Sequence, residues 1–197
     1  EPAGVGLIFT PGQVLDPVSY SSGDADFRAI LTQVRAQKPD AIFATGYYPE
    51  AAIIVRQARE LGMTMPILGG DGWVGDALKN GREALKNTFI SNHYSGENPD
   101  PIVQNFRKAY REKFWTDITG KLPPAALGYD AAKVLADAIT RAKGTEGPKL
   151  RDAIAAADVP GVTGRLKMNA DRNVVKPAVI EEIQFVNGDV KYGYRTT

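Results

Sequence analysis

The chain has 197 residues, 43% of them hydrophobic, which is material for one sizeable domain or two small ones and argues against disorder. Its charge is balanced, 24 Lys and Arg against 23 Asp and Glu, so no long-range field draws it toward nucleic acid or acidic membranes. The absence of cysteine excludes disulfides, thiolate nucleophiles and Cys-ligated metals, and no apolar run approaches the roughly 18 to 20 residues of a bilayer span.

Strand-like runs alternate with helical periodicity, the mark of α/β construction around a parallel sheet. Phe27, Ile30, Leu31 and Val34 fall at i, i+3, i+4 and i+7, which predicts an amphipathic helix over about residues 26–37, with Asp24 or Asp26 as its N-cap. Ile42, Phe43 and Ala44 form a buried strand ending at Gly46, and a helix follows from Pro49, suited to a first turn, to Gly62. Pro66, Ile67 and Leu68 make the next strand, ending at Gly69 and Gly70, and a weaker helix is expected over residues 74–85. After Thr88-Phe89-Ile90-Ser91 comes Ser95-Gly96-Glu97-Asn98-Pro99-Asp100-Pro101, a loop rich in turn formers and a candidate crossing between lobes. Val103, Phe106, Tyr110 and Phe114 mark a helix, residues 122–142 a longer one and residues 150–157 a short one. Residues 161–168 and 178–185 read as strands, and Asn187-Gly188 is a two-residue hairpin signal leading into residues 190–194.

The chemistry is concentrated in two of these strand ends. Gly46-Tyr47-Tyr48-Pro49-Glu50 and Gly69-Gly70-Asp71-Gly72-Trp73 put aromatics and one carboxylate on consecutive loops, and open α/β sheets bind small molecules outside the carboxyl ends of their strands. Tyr47 is either a ligand platform or an aromatic packed at a strand end; Asp71 either a ligand group or the N-cap of the helix expected near Val74. Enzyme chemistry is disfavoured. His93 is the only histidine, no Gly-x-Ser-x-Gly elbow is present, and paired His or Cys metal ligands are missing. Gly4-Val5-Gly6 lacks the rest of a dinucleotide fingerprint. Asp16, Asp24 and Asp26 are better explained by capping than by acid/base work, and Arg165, Lys167, Arg172 and Lys176 by a solvated face than by a nucleic-acid patch.

Several segments together resemble the periplasmic branched-chain amino-acid binding proteins, the type I solute-binding receptors of ABC transporters. They are Tyr20-Ser21-Ser22-Gly23-Asp24-Ala25-Asp26-Phe27, Lys38-Pro39-Asp40-Ala41-Ile42, Arg56-Gln57-Ala58-Arg59-Glu60-Leu61-Gly62, Gly128-Tyr129-Asp130-Ala131, Gly161-Val162-Thr163-Gly164 and Lys176-Pro177-Ala178. The resemblance implies a flavodoxin-like parallel sheet flanked by helices in each of two lobes, and no cofactor. It implies that Tyr47 packs on the ligand backbone, that Asp71, where many members have Glu, takes the α-ammonium, and that Trp73 faces the ligand side chain. The implied ligand is a small zwitterion of the Leu/Ile/Val kind and the implied partner a membrane permease. A periplasmic or lipid-anchored location follows, with a secretion signal already removed.

The same resemblance implies an incomplete two-lobe arrangement. Residues 1–13 match the first strand of lobe 1, residues 14–94 part of lobe 2, residues 95–175 part of lobe 1, and residues 176–197 strands returning to lobe 2. The segments of lobe 1 that hold the ligand carboxylate are absent, as if by an internal deletion, so binding is expected to be weak. Uncovered apolar faces are expected to drive dimerisation or domain swapping. The alternative expectation is a truncated or engineered α/β scaffold that keeps the fold without binding ligand.

Overall fold

The computed structural model describes residues 3–8, as main chain, together with residues 13–118 and 123–196. The expected strand residues Phe9, Thr10 and Pro11 and the expected helix start at Leu122 lie outside the described residues. The chain divides into two compact units, residues 1–92 with 180–196 and residues 93–179.

Unit 1 is built on β1 (Ala3–Ile8), β2 (Val14–Tyr20), β3 (Ile42–Ala44), β4 (Ile67–Gly69) and β5 (Thr88–Asn92). The late strands β9 (Val179–Val186) and β10 (Asp189–Thr196) join them in a seven-stranded sheet of order β10-β9-β5-β4-β3-β1-β2. β3, β4 and β5 pair in parallel, through Ile42↔Ile67, Leu68↔Phe89 and their neighbours. β1 is antiparallel to both β2 and β3, so β2 runs the same way as β3. β1 sits between β2 and β3. Only five positions separate β1 from β2, fewer than the dozen or more a parallel crossover needs, and the two strands pair antiparallel. The carboxyl ends of β2, β3, β4 and β5 therefore lie along one edge.

Two helices, α1 (Arg28–Ala36) and α2 (Tyr48–Glu60), bury Leu31 and Val34, and Ile54, Val55 and Ala58, in one core with Ile42, Ala44, Ile67 and Ile90. Of the two expected caps on α1, Asp26 serves the helix's first N–H and Asp24 turns to the preceding loop. Asp24 accepts from the Ser21 N–H at 2.8 Å and Asp26 from the Arg28 N–H at 3.1 Å, while the buried Gln57 of α2 accepts from the Phe27 N–H at 2.6 Å. Buried Glu50, also on α2, accepts from the Gly23 N–H at 2.9 Å and the Ser22 hydroxyl at 3.3 Å. The Gly23 N–H and the other hydrogen bonds hold the Glu50 carboxyl below its ordinary range against the opposing cost of burial. The half-buried Arg59 guanidinium donates to the carbonyls of Met63, Met65, Ala84 and Lys86 at the opposite edge of the sheet. The helix expected over residues 74–85 is 3₁₀, Asp76–Leu85, broken at Arg82 with φ 45° beside Asn80-Gly81, a poor helix-forming pair. Asn187 and Gly188 both have positive φ, 53° and 82°, as a two-residue hairpin turn requires.

Unit 2 contains α3 (Pro101–Phe114), α4 (Pro123–Ala142) and α5 (Gly147–Ala155), with β6 (Asp158–Gly161), β7 (Gly164–Met168) and β8 (Val174–Val175) in a small antiparallel sheet. The single strand expected over residues 161–168 is two, because residues 162–163 turn back. Buried Asp130 of α4 fixes that turn by accepting from the Val162 and Thr163 N–H groups and the Thr163 hydroxyl, each at 2.8 Å. Two small cores result, one around Tyr94, Val103, Ile118 and Ala126 and one around Val134, Ala157 and Leu166. Ile102, Phe114, Tyr129 and Leu135 on α3 and α4 remain exposed.

Two outcomes test this packing. A Cβ at Gly69 would lie 2.4 Å from Cδ2 of the buried Trp73 ring, so Gly69→Ala should lower the denaturant midpoint by the equivalent of about 1 to 3 kcal/mol; an unchanged midpoint would contradict the contact. Glu50 has a depressed folded-state pKa, so its stabilisation is complete above the unfolded-state pKa and fades as pH falls through the folded one. Glu50→Gln should therefore cost about 1.5 to 3 kcal/mol at neutral pH and less below pH 4, seen as a shallower acid limb in urea melts across pH.

Candidate functional site

The common edge at the carboxyl ends of β2, β3 and β4 carries three loops, and each is fixed from below. The loop after β2 is tied to α2 by Glu50. The buried Tyr20 ring, edge-on to Phe27 at 5.2 Å, donates its hydroxyl to the Thr45 carbonyl at 2.7 Å, which links the end of β2 to the end of β3. Burial raises the Tyr20 pKa, with nearby Glu50 adding to it, so the hydroxyl stays a donor.

The loop after β3 turns at Gly46, whose φ of 129° lies outside the range most side chains adopt. Tyr47 follows in extended conformation as the N-cap residue of α2 and is 70% exposed. The loop after β4 becomes a 3₁₀ turn, Asp71–Trp73, begun by the exposed Asp71. The two loops touch at Gly72. A Cβ there would lie 2.6 Å from the Gly46 carbonyl and 3.2 Å from the Tyr47 ring, so only glycine lets the backbone beside Asp71 press against that ring.

Tyr47 and Asp71 thus stand on adjacent, touching loops at the open edge of the sheet. An aromatic face beside a carboxylate can receive a small organic cation or the ammonium end of a zwitterion. Trp73 is placed elsewhere: it is fully buried in the core of unit 1, its indole under Gly69, so it faces the sheet rather than the open edge. The 3₁₀ turn rotates the third residue inward while the first stays outside. Asp71 is the first residue of that turn, and the helix expected near Val74 begins at Asp76 with Gly75, not Asp71, as its N-cap residue.

Two supporting residues escaped the sequence reading. Glu50 and Gln57 act on groups 27 to 30 residues away, beyond any local pattern. Tyr48 has a structural place, its ring against Gly75, where a Cβ would approach Cδ1 to 2.4 Å. A glutamate in a helix first turn beside Pro49 is the one signal that pointed to Glu50, since such residues commonly reach back to unpaired N–H groups. Among the described residues no cluster of His, Cys, Asp or Glu could hold a metal ion, and no helix is long and apolar enough to cross a membrane.

Comparison with known proteins converges on one group. Leucine binding protein LivK from Thermotoga maritima superposes with a TM-score of 0.74 and 36% identity, over 88% of this chain and 49% of that one. The branched-chain amino acid transporter substrate binding protein LivJ from Streptococcus pneumoniae, solved with isoleucine, gives 0.67 and 32%, over 90% of this chain and 51% of that one. The Leu/Ile/Val-binding protein BraC3 of Rhizobium johnstonii is 26% identical over 163 residues, 82% of this chain and 32% of that protein. The chain thus spans about half the length of these solved relatives and about a third of BraC3. The periplasmic binding protein family model matches residues 9–186, and the chain belongs to that family.

Proposed function

We propose that the edge carrying Tyr47 and Asp71 binds the backbone of a free amino acid, in a non-catalytic solute-binding protein serving an ABC importer. The observation that carries the reading is the contact at Gly72, which sets the exposed Tyr47 ring against the backbone beside the exposed Asp71 at the carboxyl ends of the parallel strands. The Asp71 carboxylate pairs with the α-ammonium, and the Tyr47 ring covers the backbone carbons. Branched aliphatic amino acids are the first candidates, because LivK is a leucine binding protein and LivJ was solved with isoleucine. The working location is periplasmic or at the cell surface, with a membrane permease as the receiving partner.

A hydrogen bond to a charged group contributes roughly 1.5 to 3 kcal/mol. One such pair and one aromatic cover fall short of the roughly 8 kcal/mol that micromolar affinity needs, so this chain alone binds weakly. A second reading is a scaffold that keeps the fold without ligand affinity and associates with another copy. It is favoured by the exposed Ile102, Phe114, Tyr129 and Leu135 of unit 2 and by the chain's matching only about half of its solved relatives.

Calorimetry with leucine, isoleucine and valine separates the two readings. The first expects measurable binding weaker than about micromolar, reduced about tenfold or more in Asp71→Asn, which keeps the shape and removes the charge, and lost in Tyr47→Ala. Unchanged affinity in Asp71→Asn would remove the ammonium role. No heat for any amino acid, together with a dimeric mass by sedimentation, is the expectation of the second.

A further inference from the structure

The turn that bears Asp71 is held from a strand far away in sequence. The ring of Tyr192, on the last strand β10, lies in the core of unit 1 and is 5% exposed. Its hydroxyl donates to the Trp73 carbonyl at 3.4 Å and accepts from the Gly75 backbone N–H. Burial raises the Tyr192 pKa strongly, so the group remains a neutral phenol able to make both bonds at once. The bonded groups are the last residue of the 3₁₀ turn Asp71–Trp73 and the residue two positions beyond it. Two further contacts close the same turn. The Trp73 indole fills the space over Gly69, and the Tyr48 ring fills the space over Gly75.

We propose that Tyr192 is a positioning residue for the ligand site: its hydroxyl bridges the Trp73 carbonyl and the Gly75 N–H and so fixes the turn from which Asp71 projects. The proposal rests on the reading of Asp71 as the ammonium-binding group. A short turn with two glycines has many accessible backbone states, and a carboxylate on it favours an ammonium only if its place is set before the ligand arrives. The Trp73 and Tyr48 rings restrict the turn sterically, whereas the phenol bonds directly to its peptide groups. Tyr192 touches no ligand in this arrangement and acts only through Asp71.

The test uses Tyr192→Phe, which keeps the ring in the core and removes both hydrogen bonds. Without ligand, amide hydrogen exchange at Trp73, Val74 and Gly75 should accelerate about tenfold, while Ile54 and Ile67 in the core keep their protection. Unchanged exchange in the turn, or equal acceleration throughout unit 1, overturns the proposal. With leucine as the probe, Tyr192→Phe should weaken binding about three- to tenfold, and the loss should shrink toward none in the Asp71→Asn background, because both variants disable one interaction. Additive losses, as expected of a residue that only stabilises the fold, overturn it as well. If Asp71→Asn alone leaves affinity unchanged, the ligand-site reading falls, and the exchange result alone decides whether Tyr192 fixes the turn.

Discussion

Backbone groups at both ends of the sheet of unit 1 are satisfied by three side chains of one helix, α2. Glu50 at its start accepts from the loop after β2, Gln57 in its middle accepts from the N–H of Phe27, the residue just before α1, and Arg59 near its end donates to five carbonyls at the far edge. An unpaired buried peptide group costs about as much as several buried methylenes, so these three side chains decide which loop conformations are tolerable. The three-residue strands β3 and β4 could not define the edge of the sheet by themselves. With α2 strapped across them, the loops after β2, β3 and β4 have little choice of position, and the surface they share becomes a consistent place for ligand chemistry.

Much of this was legible in the sequence wherever the signal was local. The spacing of Phe27, Ile30, Leu31 and Val34 located α1, and the apolar triplets at residues 42–44 and 66–68 located two parallel strands. Asn187-Gly188 located the last hairpin. The candidate site was partly legible for the same reason, since glycines after short apolar runs mark strand ends, and strand ends are where such folds bind. What could not be read depended on distant partners or on rotation within one turn. Asp24 and Asp26 both look like caps, but only Asp26 reaches the first N–H of α1, and the Phe27 N–H before it goes to Gln57. Trp73 follows Asp71 by two positions yet points the opposite way, because a 3₁₀ turn of three residues reverses direction within that span. The turn at residues 162–163 is dictated by Asp130, more than thirty residues earlier.

The two units differ in how well they supply their own interior. Unit 1 closes one large core between α1, α2 and the sheet, whereas unit 2 divides its apolar residues between two small clusters and leaves aromatic rings of α3 and α4 in contact with solvent. The Phe106 ring contacts Tyr94, Tyr110 and Tyr129, and Tyr110 in turn contacts Phe114, so the exposed rings continue an aromatic array that begins in the buried cluster. Layered α/β architecture normally sets such a helix face against a sheet. The difference accords with a chain that matches only about half of its structural relatives.

The position of β9 beside β5 has a consequence for the order in which the protein is made. β5 ends at Asn92, but its neighbour begins only at Val179, after the whole of unit 2 has been synthesised. A nascent chain therefore carries an unpaired strand edge through the translation of nearly ninety residues, at about 5 to 20 residues per second. During those seconds the edge can pair with another chain, or be held by a chaperone, as readily as with its proper neighbour. The buried Asn92–Glu181 hydrogen bond at 2.8 Å, which joins β5 to β9, forms only once β9 emerges, so unit 1 is closed after unit 2 has been made even though most of unit 1 is made first.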